Sequence, residues 1–290
     1  MKQLLDSRFL KKLENLRLIV RGRFHGTPSG RRLTPRAGMS LEFAEYKEYY
    51  PGDDLRYVDW SLYGRFDRLF IKVFTREEDV PIYLFLDVSR SMEMGNKLDY
   101  AARLAGALAY LGLKDLNRVG IFPFASDLRS GVPPRGGYRQ VFEIFRFLQA
   151  VQPSGETSIN ESLTRFARIR RENGLAILIS DMLSEDGYEE GLAQLLHHRY
   201  EITVLHLLAP EDLDPHLSGE LRLQNVENQE ELPIHASKTA LKTYQEALTR
   251  YRKRLETYCR RHDIRYQLIP SGIPLEETVF QTLREGALLQ

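Results

Sequence analysis

The alternation of short apolar runs with amphipathic segments, between Val80 and Ile269, constrains the fold of this chain more than any other feature. Each run has the length of a strand that is buried on both faces, whereas the segments between the runs repeat apolar residues at helical spacing. Such alternation is typical of a doubly wound, mostly parallel α/β sheet. The predicted strands are Val80–Leu86, Arg118–Ala125, Leu175–Asp181, Glu201–Leu208 and Ile264–Ile269, and the predicted helices are Lys97–Asp115, Gln140–Val151, Asn160–Asn173, Gly187–His198 and Ser237–His262.

The rest of the chain is predicted to form an N-terminal extension, residues 1–79, before the α/β domain of residues 80–290. The extension opens with a predicted helix that docks on its own domain through one apolar face, formed by Leu5, Phe9, Leu13, Leu16 and Val20. Residues 219–235 alternate polar and apolar side chains weakly, which predicts a hairpin insertion in the α/β domain. With 290 residues, of which 42% are apolar, the chain is long enough for a substantial core.

Three oxygen-bearing side chains, those of Asp87, Ser89 and Ser91, follow the first predicted strand directly. In open α/β sheets, the loops that bind ligands lie at the carboxyl ends of the strands. Alternate residues of a short loop can turn toward one point, and a carboxylate with two hydroxyls suits a hard cation such as Mg²⁺. The alternative interpretation of these residues is a loop that caps the next helix.

Two further segments offer oxygen ligands. One is Ser154–Ser158, a loop between two predicted helices, and the other contains Asp181, at the end of another predicted strand. Asp181 lies beside Asp87 if the two strands are neighbours in the sheet.

This spaced set resembles the metal-ion-dependent adhesion site of von Willebrand factor A-type domains, in which D-x-S-x-S is followed by a Thr and then by an Asp. The five positions are filled by Asp87, Ser89, Ser91, Thr157 and Asp181. The resemblance implies a von Willebrand A-like, Rossmann-type domain with Mg²⁺ as the cofactor and Mn²⁺ or Ca²⁺ as alternatives. It also implies that Ser89, Ser91 and Thr157 touch the metal directly, while Asp87 and Asp181 hold it mainly through water.

Such a site favours regulated protein binding over catalysis. Neutral hydroxyls leave most of the charge of a cation uncancelled, and Mg²⁺ readily keeps several waters in its octahedral shell. An Asp or Glu of a second protein can replace one of these waters in a charge-assisted contact. We therefore expect a non-enzymatic, Mg²⁺-dependent protein-interaction module whose partner supplies a carboxylate.

A second motif, from Glu42 to Trp60, contains the turn Pro51-Gly52-Asp53-Asp54 followed by Arg56 and Asp59. Here the chain resembles the bacterial family known as domain of unknown function 58, whose signature runs from Glu-Phe through Pro-Gly-Asp-Asp-x-Arg-x-Val/Ile-Asp-Trp into a von Willebrand A-like domain. The motif is expected to have a structural role, in which it fastens the extension to the core.

The same resemblance implies partners. Members of this family resemble partners of MoxR-type AAA+ ATPases, and they are often encoded beside these ATPases and beside other von Willebrand A proteins. The implied function is an adaptor in assembly or chaperone-like processes.

Two other functions compete with this interpretation. A metal-dependent phosphohydrolase with Asp87 as the nucleophile would need a second acid at position 89, where Ser89 cannot replace a carboxylic acid at neutral pH. A binder of nucleic acid or of membrane surfaces would use the basic residues of the extension, which are Arg8, Lys11, Lys12, Arg17, Arg21, Arg23, Arg31, Arg32 and Arg36. No aromatic stacking pattern accompanies these charges, which favours a solvated surface.

Composition sets the expected compartment. A net charge of +1 predicts no general affinity for polyanions, so no nucleic-acid partner is expected. The single cysteine, Cys259, excludes internal disulfides and suits a reducing compartment. The sequence contains no secretory signal and no apolar stretch of roughly 18 residues that could span a membrane. The prediction is a cytoplasmic protein that partners can recruit to a membrane.

Overall fold

The chain divides into two compact units in the computed structural model. The larger unit contains residues 1–24 and 80–290, and the smaller unit contains residues 25–79. The first 24 residues therefore group with the α/β domain and not with residues 25–79, because Phe9 and Leu13 are buried in the core of the larger unit. The structure describes residues 4–21, 41–50, 55, 58–66, 68–76, 79–170, 172–215, 219–224 and 231–290.

The helices and strands of the described residues are numbered in chain order. The helices are α1 (Ser7–Leu13), α2 (Trp60–Phe66), α3 (Lys97–Lys114), α4 (Tyr138–Ala150), α5 (Ile159–Ile169), α6 (Glu189–His197), α7 (Pro210–Leu213), α8 (Lys238–Arg261), α9 (Leu275–Glu277) and α10 (Leu283–Glu285). The strands are β1 (Leu41–Glu48), β2 (Phe70–Arg76), β3 (Pro81–Asp87), β4 (Arg118–Phe124), β5 (Val132–Arg135), β6 (Leu175–Ser180), β7 (Glu201–Leu208), β8 (Gly219–Gln224), β9 (Glu231–Ala236) and β10 (Arg265–Pro270).

The larger unit is built on one sheet, in which six described strands have the order β10-β7-β6-β3-β4-β5. All neighbouring strands of this sheet are parallel except β5, which pairs antiparallel with β4 at the edge. β5 contains Pro133 and Pro134, and within sheets proline is confined mainly to edge strands and bulges; the register of β5 against β4 is irregular between Val119 and Ile121. The predicted α/β fold with a doubly wound, mostly parallel sheet is confirmed.

The central strand β3 is buried on both faces. Ile82, Leu84 and Leu86 pack into one apolar core with α3 and α4, whereas Tyr83 and Phe85 pack into a second core with α5, α6 and α8. Full burial of each such side chain is worth about 1.5–3 kcal/mol. The unbroken apolar run before Asp87 therefore fixes the position of this residue in the middle of the sheet.

The opening helix is shorter than predicted, since α1 ends at Leu13 and not near Val20. Leu18 instead forms a bridge with Leu289, and the N–H of Arg17 donates to the carbonyl of Gln290 over 2.9 Å. Leu16 and Leu18 are nevertheless buried. The apolar spacing that predicted a longer helix thus reflects burial of an extended segment.

Two antiparallel pairs complete the described elements. β8 pairs with β9 in the region where a hairpin was predicted. In the smaller unit, β1 pairs with β2. None of the helices in the described ranges is both long and apolar enough to cross a lipid bilayer.

Candidate functional site

Asp87 lies at the carboxyl end of β3, and its side chain is fully buried. The register pairs Leu86 with Ile179 on β6, so the next residues along the two strands are Asp87 and Ser180. The Ser180 hydroxyl donates to Asp87 Oδ2 over 2.6 Å, and the N–H of Ser89 donates to Asp87 Oδ1 over 2.9 Å. Both carboxylate oxygens are therefore held by uncharged donors.

The turn after β3 places two hydroxyl groups side by side. Ser89 directly precedes a 3₁₀ helix, Arg90–Asn96, and its Oγ lies 3.0 Å from Oγ of Ser91. Ser89 is fully buried and Ser91 is half-buried. The alternate residues of the loop thus turn toward one point, next to the end of β3.

Thr157 is buried in the loop between α4 and α5, and hydrogen bonds connect this loop to the turn after β3. The N–H of Ser154 donates to the carbonyl of Val88 over 2.8 Å, and the N–H of Arg90 donates to the carbonyl of Gly155 over 3.0 Å. The loop that carries Thr157 is consequently held against the loop that carries Ser89 and Ser91.

Asp181 follows β6, the neighbour of β3, and is also fully buried. Its Oδ1 accepts a hydrogen bond from the N–H of Leu183 over 3.1 Å. Burial and the nearby charge of Asp181 raise the pKa of Asp87 well above its usual range, while the hydrogen bonds from Ser180 and Ser89 oppose this shift. The two carboxylates therefore share one edge of the sheet and influence each other electrostatically.

Lys97, which the sequence analysis did not identify, completes this cluster. The side chain of Lys97 is 2% exposed, and its Nζ lies 2.8 Å from Asp181 Oδ2 and 3.1 Å from Asp212 Oδ2. Burial alone would lower the pKa of Lys97, but the carboxylates of Asp181 and Asp212 raise it above its usual value. The ammonium therefore remains charged at neutral pH.

A signal for Lys97 is present in the sequence. Lys97 is the first residue of α3, and it precedes Ala101 by four residues and Ala105 by eight, so that all three share one helix face. Ala101 and Ala105 are fully buried. A lysine on the buried face of an apolar helix needs a carboxylate partner, and this requirement points to a polar cluster at the start of α3.

α8 contacts both loops that bring carboxylates to Lys97. The O–H of Tyr244 donates to the carbonyl of Asp212 over 2.9 Å, and the O–H of Tyr251 donates to the carbonyl of Met182, directly after Asp181. The two tyrosines are seven residues apart and share one helix face. α8 thus packs on the α/β domain and holds the main chain around the carboxylates.

A cleft of about 620 Å³ opens beside the turn after β3. Its lining includes Met92 and Glu93 from the 3₁₀ helix, Asp99 and Arg103 from α3, and Gln152 from the loop after α4. The residues that directly follow Ser91 therefore form one wall of a concave surface.

In the smaller unit, Asp59 from the second sequence motif links three segments. Its carboxylate accepts hydrogen bonds from the O–H of Tyr46 over 3.0 Å and from the N–H of Ser61 over 2.9 Å. The N–H of Asp59 donates to the carbonyl of Phe70 over 2.9 Å. Asp59 therefore connects segments within its own unit.

Some residues singled out in the sequence lie outside the described residues. They are Arg23, Arg31, Arg32, Arg36, Pro51, Gly52, Asp53, Asp54 and Arg56.

Comparison with known sequences places the chain in a family. The family described as "Protein of unknown function DUF58" matches residues 45–254. The chain belongs to the DUF58 family. Relatives of this DUF58 protein include the uncharacterized proteins Mb1516 of Mycobacterium bovis and Rv1480 of Mycobacterium tuberculosis. Each is 26% identical over 231 residues, which cover 77% of this chain and 72% of the relative. The resemblance inferred from the signature motif is confirmed.

Solved structures that resemble this DUF58 protein include the conserved hypothetical protein BatB from Bacteroides thetaiotaomicron. That likeness has a TM-score of 0.45 at 17% identity and covers 72% of this chain and 98% of BatB. A von Willebrand factor type A protein from Catenulispora acidiphila has a TM-score of 0.41 at 13% identity, covering 74% of this chain and 43% of that protein.

Proposed function

We propose that this DUF58 protein is a non-enzymatic protein-interaction module that binds Mg²⁺ and, through it, an acidic side chain of a partner. The main support is that the turn after β3 brings two hydroxyls together: Oγ of Ser89 and Oγ of Ser91 are hydrogen-bonded to each other over 3.0 Å. Mg²⁺ takes oxygen ligands in near-octahedral geometry, and two neighbouring hydroxyls can fill adjacent positions of its shell. Mn²⁺ and Ca²⁺ are the alternative cations.

The hydrogen bonds of the carboxylates support the same division of roles. Each oxygen of Asp87 and of Asp181 already accepts a hydrogen bond from the chain. Such carboxylates suit an outer role, in which they balance the charge and hold water. The hydroxyls of Ser89, Ser91 and Thr157 would then hold the cation directly.

A bound cation would supply a Lewis-acidic position that a partner's carboxylate can occupy in place of water. The chain's own contribution is to present neutral ligands and to hold the nearby negative charges back from that position. Ser180 and Ser89 restrain Asp87, while Leu183 and Lys97 restrain Asp181. The cleft lined by Glu93 and Arg103 offers room for the rest of a partner's binding segment.

The burial of Asp87 favours this proposal over the phosphohydrolase alternative. A nucleophilic carboxylate needs an oxygen that is free to attack a substrate. Asp87 is fully buried, and both of its oxygens accept hydrogen bonds from the chain. The carboxylate is therefore better arranged for charge balance than for attack.

For the partner, we propose a MoxR-type AAA+ ATPase, in assembly or chaperone-like processes in the cytoplasm. Other von Willebrand A proteins are further candidate partners. This part of the proposal rests on the family resemblance alone.

Calorimetric titration of Mg²⁺ and Mn²⁺ tests the cation site. Wild type is expected to take up one cation per chain, and Ser89→Ala/Ser91→Ala is expected to take up none, because two of the direct ligands are removed. Ser130→Ala, an exposed serine in the loop before β5, is the matched control and should behave as wild type. Absence of uptake by wild type, or equal uptake by the double variant, would contradict the proposal.

A second titration adds a MoxR-type ATPase from the same genome. Binding is expected to require Mg²⁺, to survive moderate salt, and to be lost in Ser89→Ala/Ser91→Ala. Binding that ignores EDTA and the serine variants but weakens steeply with salt would instead point to the basic residues of the N-terminal segment.

A further inference from the structure

The ammonium of Lys97 is an internal cation at the edge of the candidate site. It lies 2.8 Å from Asp181 Oδ2 and 3.1 Å from Asp212 Oδ2, and the three side chains are 2%, 0% and 15% exposed. Lysine is almost never fully buried unless its charge is paired. Asp181 therefore belongs to two clusters, one with Asp87 and one with Lys97.

The second cluster is fixed by the surrounding backbone. Asp212 Oδ2 also accepts a hydrogen bond from the N–H of Ala209 over 2.9 Å, so this carboxylate cannot rotate away from Lys97 without losing a second contact. Gly95, two residues before Lys97, lies so close to Ala209 that a Cβ at position 95 would be only 2.4 Å from the Ala209 Cβ. The turn that precedes α3 and the segment that carries Asp212 are therefore in direct contact.

We propose that Lys97 is a positioning residue that sets the net charge of the candidate cation site and holds Asp181 in an outer role. This inference rests on the proposed function. With the ammonium on Oδ2, Asp181 shares its charge with Lys97 and is held back from direct coordination. The bound cation then keeps more of its own charge for the carboxylate of a partner.

The charges of the cluster predict the direction in which each substitution changes the affinity for a cation. Lys97 contributes one positive charge beside the carboxylates of Asp181 and Asp212, so each substitution in this cluster changes the net charge of the site by one. Lys97→Met adds one net negative charge and frees Asp181, whereas Asp212→Asn removes one negative charge and leaves the ammonium to Asp181 alone. The two substitutions therefore change cation affinity in opposite directions.

The test is a Mn²⁺ titration of the full chain, wild type and variants, by calorimetry. Lys97→Met is expected to bind Mn²⁺ on the order of tenfold more tightly than wild type, and Asp212→Asn on the order of tenfold more weakly. The double variant Lys97→Met/Asp212→Asn restores the net charge and should return to within a few-fold of wild type. Lys12→Met, which removes a lysine from the exposed pair with Glu276, is the control and should change nothing.

The outcomes separate the two proposals. Absence of Mn²⁺ uptake by wild type overturns the proposed cation site itself. Uptake by wild type with the same affinity in both single variants, or with weaker binding in both when both are folded, overturns only the role of Lys97. Opposite shifts support that role, because loss of structure can weaken binding but cannot produce shifts of opposite sign.

The double variant also protects the test against misfolding. If Lys97→Met fails to fold because two buried carboxylates lose their counterion, the comparison of Asp212→Asn with the double variant remains. Tighter Mn²⁺ binding by the double variant than by Asp212→Asn supports the proposal, and equal or weaker binding overturns it. Thermal unfolding in EDTA, recorded for each variant, shows which of them are folded.

Discussion

Two buried carboxylates at one edge of the sheet are stabilised in different ways. Asp87 is held by a hydroxyl and a backbone N–H, whereas Asp181 is held by a backbone N–H and the ammonium of Lys97. Neutral donors leave the charge of a carboxylate available to a cation, while an ammonium largely cancels it. The two carboxylates therefore differ in how far the surrounding chain compensates their charge, although they lie at the ends of neighbouring strands.

The comparison predicts that the ion-paired cluster contributes more to stability than the neutral one. Removal of one partner from a buried ion pair leaves an uncompensated charge, which costs about 3–5 kcal/mol. We therefore expect Lys97→Met to lower the free energy of unfolding by about that amount, measured by urea denaturation in EDTA.

Arg254→Met is the control for this measurement. Arg254 pairs with Glu189 at the surface over 2.6 Å, and its side chain is largely exposed, so its removal should leave the unfolding midpoint almost unchanged. Similar losses in the free energy of unfolding for Lys97→Met and Arg254→Met would mean that the buried ion pair contributes no more to stability than the exposed one.

A second prediction concerns the packing that keeps the ion-paired cluster together. Gly95 has φ of +59°, and a Cβ there would lie 2.4 Å from the Ala209 Cβ. Gly95→Ala is expected to lower the free energy of unfolding by about 2–3 kcal/mol, since overpacking adds to the cost of a left-handed residue. Thermal and urea unfolding measure this loss.

Ala209→Gly provides the matched rescue, because it removes the carbon that the new methyl group would meet. The double variant Gly95→Ala/Ala209→Gly should recover the packing part of the loss and leave only the backbone part. If the effects of the two substitutions on the free energy of unfolding are simply additive, the contact between Gly95 and Ala209 does not stabilise the cluster.

The smallest effect on stability is expected for the carboxylate with neutral donors. Asp87→Ala loses two hydrogen bonds, but it also removes a buried carboxylate whose pKa is raised by burial and by Asp181. The two effects oppose each other, so the free energy of unfolding should change by no more than about 1 kcal/mol. Uptake of Mn²⁺, measured by calorimetry, should be lost completely.

Asp87→Asn tests the same point with the shape retained, and it should also keep the fold while losing Mn²⁺ uptake. A loss of stability as large as that of Lys97→Met would show that the neutral donors of Asp87 contribute as much to stability as the ion pair of Asp181.

Much of the framework could be predicted from local patterns. The apolar run before Asp87 and the run before Asp181 identified two parallel strands, and the rule that ligand loops follow such strands indicated where the two residues lie. Both rules depend on residues close in sequence, which is why they succeed. They also explain why the segment from Leu128 to Gly137, which contains β5, is predicted only as a short hairpin or loop, because Pro133 and Pro134 suppress the usual strand pattern.

The Lys97 cluster could not be predicted with the same rules. Lys97 is separated from Asp181 by 84 positions and from Asp212 by 115, and only the tertiary fold brings them together. The spacing of Ala101 and Ala105 indicates that Lys97 lies on a buried helix face, but it does not identify the carboxylates that pair with Lys97. The predicted length of α1 was wrong for a related reason. A buried residue such as Leu16 produces the same apolar pattern in an extended segment as in a helix.

The edge strand β5 has a consequence for behaviour at high protein concentration. An exposed strand edge is a template on which further chains can assemble, and many proteins must protect such edges. Pro133 and Pro134 remove two consecutive hydrogen-bond donors from the four residues of β5. This edge is therefore a poor template for sheet growth, so aggregation through it is disfavoured even when the protein is abundant.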